Sequence, residues 1–296
     1  MIYISSSNKI FKYDPELKNL DVIFKLNNSF FELFTRKYKM FFGITYMQEE
    51  GKIIFACRDR LGTAKKNKAS TDAIVYMYCP IRNQTEEYFK IKNIHDIHQI
   101  TSYKEFILMT DTGQNRVVIY NKNKKSLKYL NIGNVREDIN HINAILIKND
   151  KLYLGMNNNG KDFSEIVIYD LANILNLNLD SDDIMPTQNY ILENIFHTHD
   201  LFDFNNDILF CDSHKGKIYR LSDQKNLYKI NGWSRGLCLS GNSLFVGSSV
   251  RSYRSLRYTS KLDAQLYKID ISNRAISEEI KLPQCGQIND MISIEN

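Results

Sequence analysis

The chain contains no apolar run approaching the roughly 20 residues needed to cross a bilayer as a helix. Its first residues, MIYISSSNKIFKYD, alternate and then turn polar. A signal peptide would need a basic start and a continuous apolar stretch after it. The expectation is a soluble, cytoplasmic protein. Close cysteine pairs are also missing: Cys57, Cys79, Cys211, Cys238 and Cys285 form an odd, widely spaced set, which reads as buried free thiols in a reducing compartment. Lys and Arg number 39 against 34 Asp and Glu, a net charge of +5 with no basic tail or basic helix, so nucleic-acid binding is allowed but carries no strong signal. Regularly placed amphipathic helices are absent, which argues against a parallel α/β protein. GKD at 160 to 162 lacks the glycine-rich strand-to-helix setting of a phosphate-binding loop.

What is present is strand. With 43% hydrophobic residues in 296, the chain can bury a sizeable core, and its apolar segments are short, rich in Ile, Val, Leu, Phe and Tyr, and cut by Asn, Asp, Gly or Lys turns. HINAILIKNDKLYLG (141 to 155), HDLFDFNNDILFC (199 to 211) and RGLCLSGNSLFVG (235 to 247) each read as strand, polar turn, strand. Two more strands follow, as in GKIYRL and LYKI. Four-stranded units repeating at intervals of about 35 to 60 residues indicate propeller blades. Inner strands beginning near Gly43, His98, Asn143, His199, Arg235 and Asn289 make six. The terminal NDMISIEN supplies one strand of the last blade, and IYIS, KIFKY and LDVIF at the other end supply three. The expectation is an all-β, six-bladed propeller, one domain over 1–296, closed by both termini. YDLANILNLNL (169 to 179) reads as a short helix or an irregular strand. RLGTAKKNKASTDA (60 to 73) and VRSYRSLRYTSK (250 to 261) read as polar excursions.

Aligning the blades brings His98, Asn143, His199 and Arg235 into one column, with Thr45 and Asn289 as looser members. Two residues earlier stand Asp96, His141, His197, Trp233 and Gln287. Uninterrupted period-two alternation would put these on the same side of their strands, as a second polar layer. Five of six histidines, His95, His98, His141, His197 and His199, fall at inner-strand starts. Polar residues there incur desolvation unless they meet water, partners or a ligand; filling the channel mouth without chemistry is the plain alternative.

Three chemistries suit the site. His98, His141, His197 and His199 offer imidazole ligands for a divalent metal, Mn, Fe or Zn. In a second scheme, His98 or His199 serves as general base, with Arg235 gripping a carboxylate or phosphate and Asp96 orienting an imidazole or accepting a proton. Finally, the pocket can hold a sugar or phosphorylated metabolite without turnover, through stacking on Trp233 and hydrogen bonds from Asn143, Asn289 and Gln287. Arg251 and Arg254, in a loop with Arg257, Tyr253 and Tyr258, read as an anion-gathering lid or as a solvated loop. DTGQNR and DSHKGK are matching turns braced by Asp111, Asp212 and His214.

In its strand-turn-strand repeats and terminal closure the chain resembles the broad six-bladed propeller group of gluconolactonase-like and strictosidine synthase-like proteins. The resemblance implies a divalent ion, commonly calcium, with acidic and Asn ligands; Asn143 and Asn289 match, while several histidines and Arg235 stand where carboxylates are expected. The histidine-rich centre also resembles propeller lyases of acidic sugars, of a different blade count, where histidines and a glutamine hold manganese; His98, His141, His199 and Gln287 or Gln99 would correspond. The resulting expectation is a metal-assisted lyase or isomerase acting on a small anionic, carbohydrate-like metabolite. A sugar-binding propeller or protein-interaction scaffold is the alternative.

Overall fold

The computed structural model describes residues 1–27, 39–59, 71–133, 138–176, 184–252 and 261–295. They form six four-stranded antiparallel sheets, the blades of a six-bladed β-propeller, and the first and last strands of the chain share one blade. Contacts divide the chain into two compact units, Met1–Ile97 with Ile230–Asn296 (the closing unit) and His98–Lys229 (the middle unit).

In chain order, the closing unit begins with β1 (Ile2–Ser6), β2 (Lys9–Asp14) and β3 (Asn19–Lys25), then β4 (Lys39–Met47), β5 (Lys52–Asp59), β6 (Thr71–Cys79) and β7 (Gln84–Ile94). The middle unit holds three sheets. They are β8 (Ile100–Tyr103), β9 (Phe106–Asp111), β10 (Arg116–Asn121) and β11 (Ser126–Asn131); β12 (Ile142–Lys148), β13 (Lys151–Met156), β14 (Ser164–Asp170) and β15 (Gln188–Leu192); and β16 (Thr198–Phe204), β17 (Asp207–Asp212), β18 (Lys217–Arg220) and β19 (Asn226–Lys229). The closing unit resumes with β20 (Trp233–Ser240), β21 (Ser243–Ser249), β22 (Ala264–Asp270) and β23 (Ala275–Leu282), and ends in β24 (Ile288–Ser293). A short helix, α1 (Leu171–Asn176), follows β14, as one of the two readings of that segment anticipated.

Why β1 is buried along its whole length follows from period-two alternation. Ile2 and Ile4 pack with Phe11 and Tyr13 against Cys238, Phe245 and Leu266, whereas Tyr3 between them packs with Ile10 against Phe41, Phe55 and Tyr78. Successive side chains thus serve opposite neighbouring blades. Ile2, Ile4, Ile10, Phe11 and Tyr13 are at most 1% exposed, and each such side chain contributes roughly 1.5–3 kcal/mol by leaving water. Two equivalent cores occupy the middle unit, one around Leu108, Val117, Ile145 and Leu154 and one around Ala144, Ile166, Leu201 and Phe210. The fourth strands are the opposite case: β3, β7 and β23 carry Lys, Glu and Asp on mostly exposed positions, which discourages edge pairing with other chains.

All five cysteines are free, and four of them are buried. Desolvation holds the Cys238 thiol far above its ordinary range and pushes Cys285 up to about 12. Among the described residues no helix is long and apolar enough to cross a membrane.

Candidate functional site

The inner strands are not regular at their starts. The pairing register shifts between Phe41 and Ile44 in β4, Ile142 and Ala144 in β12, His199 and Leu201 in β16, and Ser234 and Leu237 in β20. On the β1–β24 pair it shifts opposite Asn289. Each shift is a β-bulge, which leaves a residue out of the ladder and re-aims its side chain. The bulged residues are Phe42 with Gly43, Asn143, Asp200, Arg235 with Gly236, and Asn289. Three of them belong to the polar column read from the sequence.

In the middle unit three histidines meet at the inner-strand starts. The His98 ring lies 5.3 Å from that of His141 and 6.4 Å from that of His199, centroid to centroid. His141 Nδ1 faces the Asp138 carboxylate at 2.9 and 3.0 Å. His199 Nδ1 faces the His197 carbonyl at 3.1 Å and Ser213 Oγ at 2.9 Å. A carbonyl or a carboxylate can only accept, so Nδ1 carries the proton in both rings and Nε2 is the nitrogen left for lone-pair chemistry in the neutral form. Beneath them runs a buried polar network: Gln99 Nε2 donates to Asp200 Oδ1 at 2.7 Å, and Gln99 Oε1 accepts from Ile145 N at 2.8 Å. Gln99 and Asp200 are 6% and 4% exposed, and one amide thereby connects three inner-strand starts. Asn143 Nδ2 donates to Thr198 O at 3.2 Å.

Asp138, Asp200 and Ser213 were not singled out in the sequence. Asp138 was findable as a carboxylate three residues before His141; Asp200 and Ser213 depend on a bulge and a cross-strand contact. His197 departs from the expected set. Its ring lies 5.1 Å from that of His214, and its backbone carbonyl accepts from His199 Nδ1. His141 (φ 51°) and Asp200 (φ 52°) adopt left-handed backbone, so these strand starts are not regular extended chain.

The closing unit carries its own polar cluster. A guanidinium can only donate, so the Gln287 amide presents its oxygen to Arg235, accepting from Nε at 2.9 Å and Nη1 at 2.5 Å. Asn289 Nδ2 donates to Phe41 O at 2.7 Å, the counterpart of the Asn143 contact. Asp290 accepts from Ile44 N at 3.1 Å and from Met291 N at 2.9 Å. Asp96 forms an ion pair with buried Arg58, whose guanidinium stacks 4.0 Å above the Phe42 ring. Asp138 is thus a carboxylate that faces an imidazole, and Asp96 pairs with an arginine. Trp233 pairs with Ser249 in register and is half-buried, Thr45 and His95 are half-buried, and Arg251 is exposed. Arg254, with Tyr253, Arg257 and Tyr258, lies outside the described residues, as does most of the 60 to 73 excursion. The turn residues behave as expected: Asp111 accepts from Gln114 and Arg116, and Lys215 approaches Asp212 at 3.4 Å.

No known family matches the sequence, and no curated protein does. The fold has relatives among solved structures. A chain of the Nidogen/Laminin complex superposes with TM-score 0.68 at 11% identity, covering 98% of this chain and 97% of that one. A periplasmic gluconolactonase of Pseudomonas aeruginosa superposes with TM-score 0.59 at 10% identity, with the same coverage of both chains. A streptogramin B lyase gives TM-score 0.47 at 14% identity over 82% of this chain and 68% of that one. The propeller is thus shared with an enzyme of small molecules and with a protein seen in a protein complex; at such identities the likeness is one of fold.

Proposed function

We propose that the protein is an enzyme that binds a small anionic, carbohydrate-like metabolite at His98, His141 and His199 and moves a proton on it, as a lyase or isomerase does. The observation that carries this reading is the shared orientation of His141 and His199: each Nδ1 proton is held by an acceptor, which makes Nε2 the nitrogen that exchanges a proton with substrate. His199 is the base of choice. It is 8% exposed, its ring is fixed by two acceptors, and its proton would come from a carbon next to a carbonyl or carboxylate. For the return step His141 enters as the imidazolium, with Nδ1–H on the Asp138 carboxylate and Nε2–H toward substrate, and gives its Nε2 proton to the carbanion that His199 creates; the His98 ring neighbours both rings. General acid–base catalysis of this kind contributes typically 10²- to 10⁴-fold.

The experiment is proton exchange. Protein in D₂O is incubated with D-glucuronate, D-galacturonate and D-gluconate, and loss of each C–H signal is followed by NMR. Exchange with at least one compound, lowered about 100-fold or more by His199→Gln in a protein of unchanged circular dichroism, is the expected result. Absence of exchange with all three, or exchange indifferent to His199→Gln, would sink it.

A divalent ion, Mn, Fe or Zn, is the second reading, supported by the same partners: a carboxylate or carbonyl on the remote ring nitrogen is how ligating imidazoles are oriented. Bound there, it would supply a Lewis acid. Among the described residues, however, no group of three or more His, Cys, Asp or Glu is placed to hold an ion, so no step is assigned to it. Metal analysis of protein purified without chelator tests this reading: an ion that His98→Ala removes would support it.

A further inference from the structure

The histidine that left the expected cluster points to a second site. His197, in the turn before β16, and His214, in the turn between β17 and β18, place their ring centroids 5.1 Å apart with planes at 59°. Two imidazoles sharing one ion at metal–nitrogen distances of about 2.1 Å and a tetrahedral angle put their centroids roughly 5 Å apart. We propose that His197 and His214 form a two-histidine site for a late first-row transition ion, separate from the His98, His141 and His199 cluster and independent of the reading given to it.

The surroundings favour this use. His197 is half-buried and its ring lies over Gly160, whose backbone is left-handed at φ 68°; a β-carbon there would stand 3.0 Å from His197 Cε1. The ring thus has bare glycine backbone on this side. Its carbonyl accepts from Ser213 N at 3.1 Å, so the two turns that carry the imidazoles are already tied to each other, and little ordering remains to be done on binding. His214 is exposed, which gives an ion a path in and leaves its other positions to water. The adjacent cation is engaged elsewhere: Lys215 Nζ donates to Asn194 O at 2.6 Å and approaches Asp212 at 3.4 Å. Imidazole donors without thiolate or carboxylate suit Cu²⁺, Ni²⁺ and Zn²⁺ better than Mg²⁺ or Ca²⁺.

The test is titration of chelator-treated, dialysed full-length protein with Cu²⁺, Ni²⁺ and Zn²⁺ separately, by calorimetry, with Cu²⁺ binding also followed by electron paramagnetic resonance. One equivalent should bind in the order Cu²⁺ above Ni²⁺ and Zn²⁺, with nitrogen hyperfine splitting. His214→Ala and His214→Gln, both at an exposed position, should each weaken it by more than about 10-fold, whereas His98→Ala should leave it within twofold. Binding unchanged by both His214 variants, binding lost in His98→Ala, or no binding of any of the three ions overturns the proposal.

Discussion

His199 donates its Nδ1 proton to the carbonyl oxygen of His197, two residues earlier, at 3.1 Å. β16 bulges at Asp200 immediately afterwards, where the backbone is left-handed at φ 52°. A backbone acceptor cannot be mutated away, so the tautomer is built into the fold. Ser213 Oγ, 2.9 Å from the same nitrogen, is the second acceptor and can be tested. Ser213→Ala should lower stability by about 1 kcal/mol and still leave His199 protonated on Nδ1 in long-range ¹H–¹⁵N spectra. A switch to the Nε2 tautomer would show that the serine, and not the carbonyl, decides which nitrogen faces substrate.

Gln99 offers a sharper test of the network below the rings. Gln99→Leu strands the Ile145 amide and removes the donor to Asp200, both buried, and should cost about 2–4 kcal/mol in urea unfolding. Gln99→Glu sets a carboxylate against Asp200. Like charge raises the folded pKa of that pair above the unfolded values near 4. The stability retained is therefore fullest in acid and falls as pH rises through the raised pKa. A Gln99→Glu protein equally stable at pH 4 and pH 7 would mean that the two groups do not interact.

How far the sequence reveals this site is itself explained by the bulges. Strand positions were legible because blade interiors impose period-two burial, as at Ile2, Tyr3 and Ile4, and the closing blade followed from counting strands at both ends. His98, His141 and His199 were legible as a group because all three fall at inner-strand starts, His98 and His199 in one column and His141 two residues before it. The partners were not. A bulge inserts a residue without any fixed residue type, so nothing in HTHD announces that Asp200 turns left-handed and reaches Gln99, or that the His197 ring lies beside that of His214. The Arg58–Asp96 pair was hidden for a different reason: it joins residues 38 positions apart through a buried guanidinium that linear spacing does not expose.

Two glycines in the β20–β21 blade separate backbone crowding from backbone conformation. At Gly247 an added β-carbon would stand 2.2 Å from the carbonyl oxygen of Arg235 and 2.8 Å from Ile288 Cγ2. Gly241 has φ 56° but nothing within 4 Å. Gly247→Ala must push the Arg235 backbone aside and should cost about 3 kcal/mol or more. Gly241→Ala carries only the left-handed penalty of about 1–2 kcal/mol, and Gly241→Asn less. Equal thermal shifts for the two alanine variants would contradict the close approach.

Alkaline pH reports on the cores. Burial pushes the Tyr169 phenol from 10.0 up to about 12, and Tyr3 likewise, with Tyr78 and Tyr46 adding to the shift in the latter. In the unfolded chain both ionise near 10, so between pH 10 and 12 the unfolded state gives up protons that the folded state keeps. Linkage then requires the tyrosine contribution to be fully present below pH 10 and lost as pH climbs through 12. Tm measured from pH 8 to 11.5 should be level at first and then fall, and Tyr169→Phe should make the fall shallower, because phenylalanine keeps the packing among Val167, Leu152 and Leu171 and has no proton to lose. An unchanged slope in Tyr169→Phe would place the alkaline loss elsewhere, with Tyr3→Phe the variant to measure beside it.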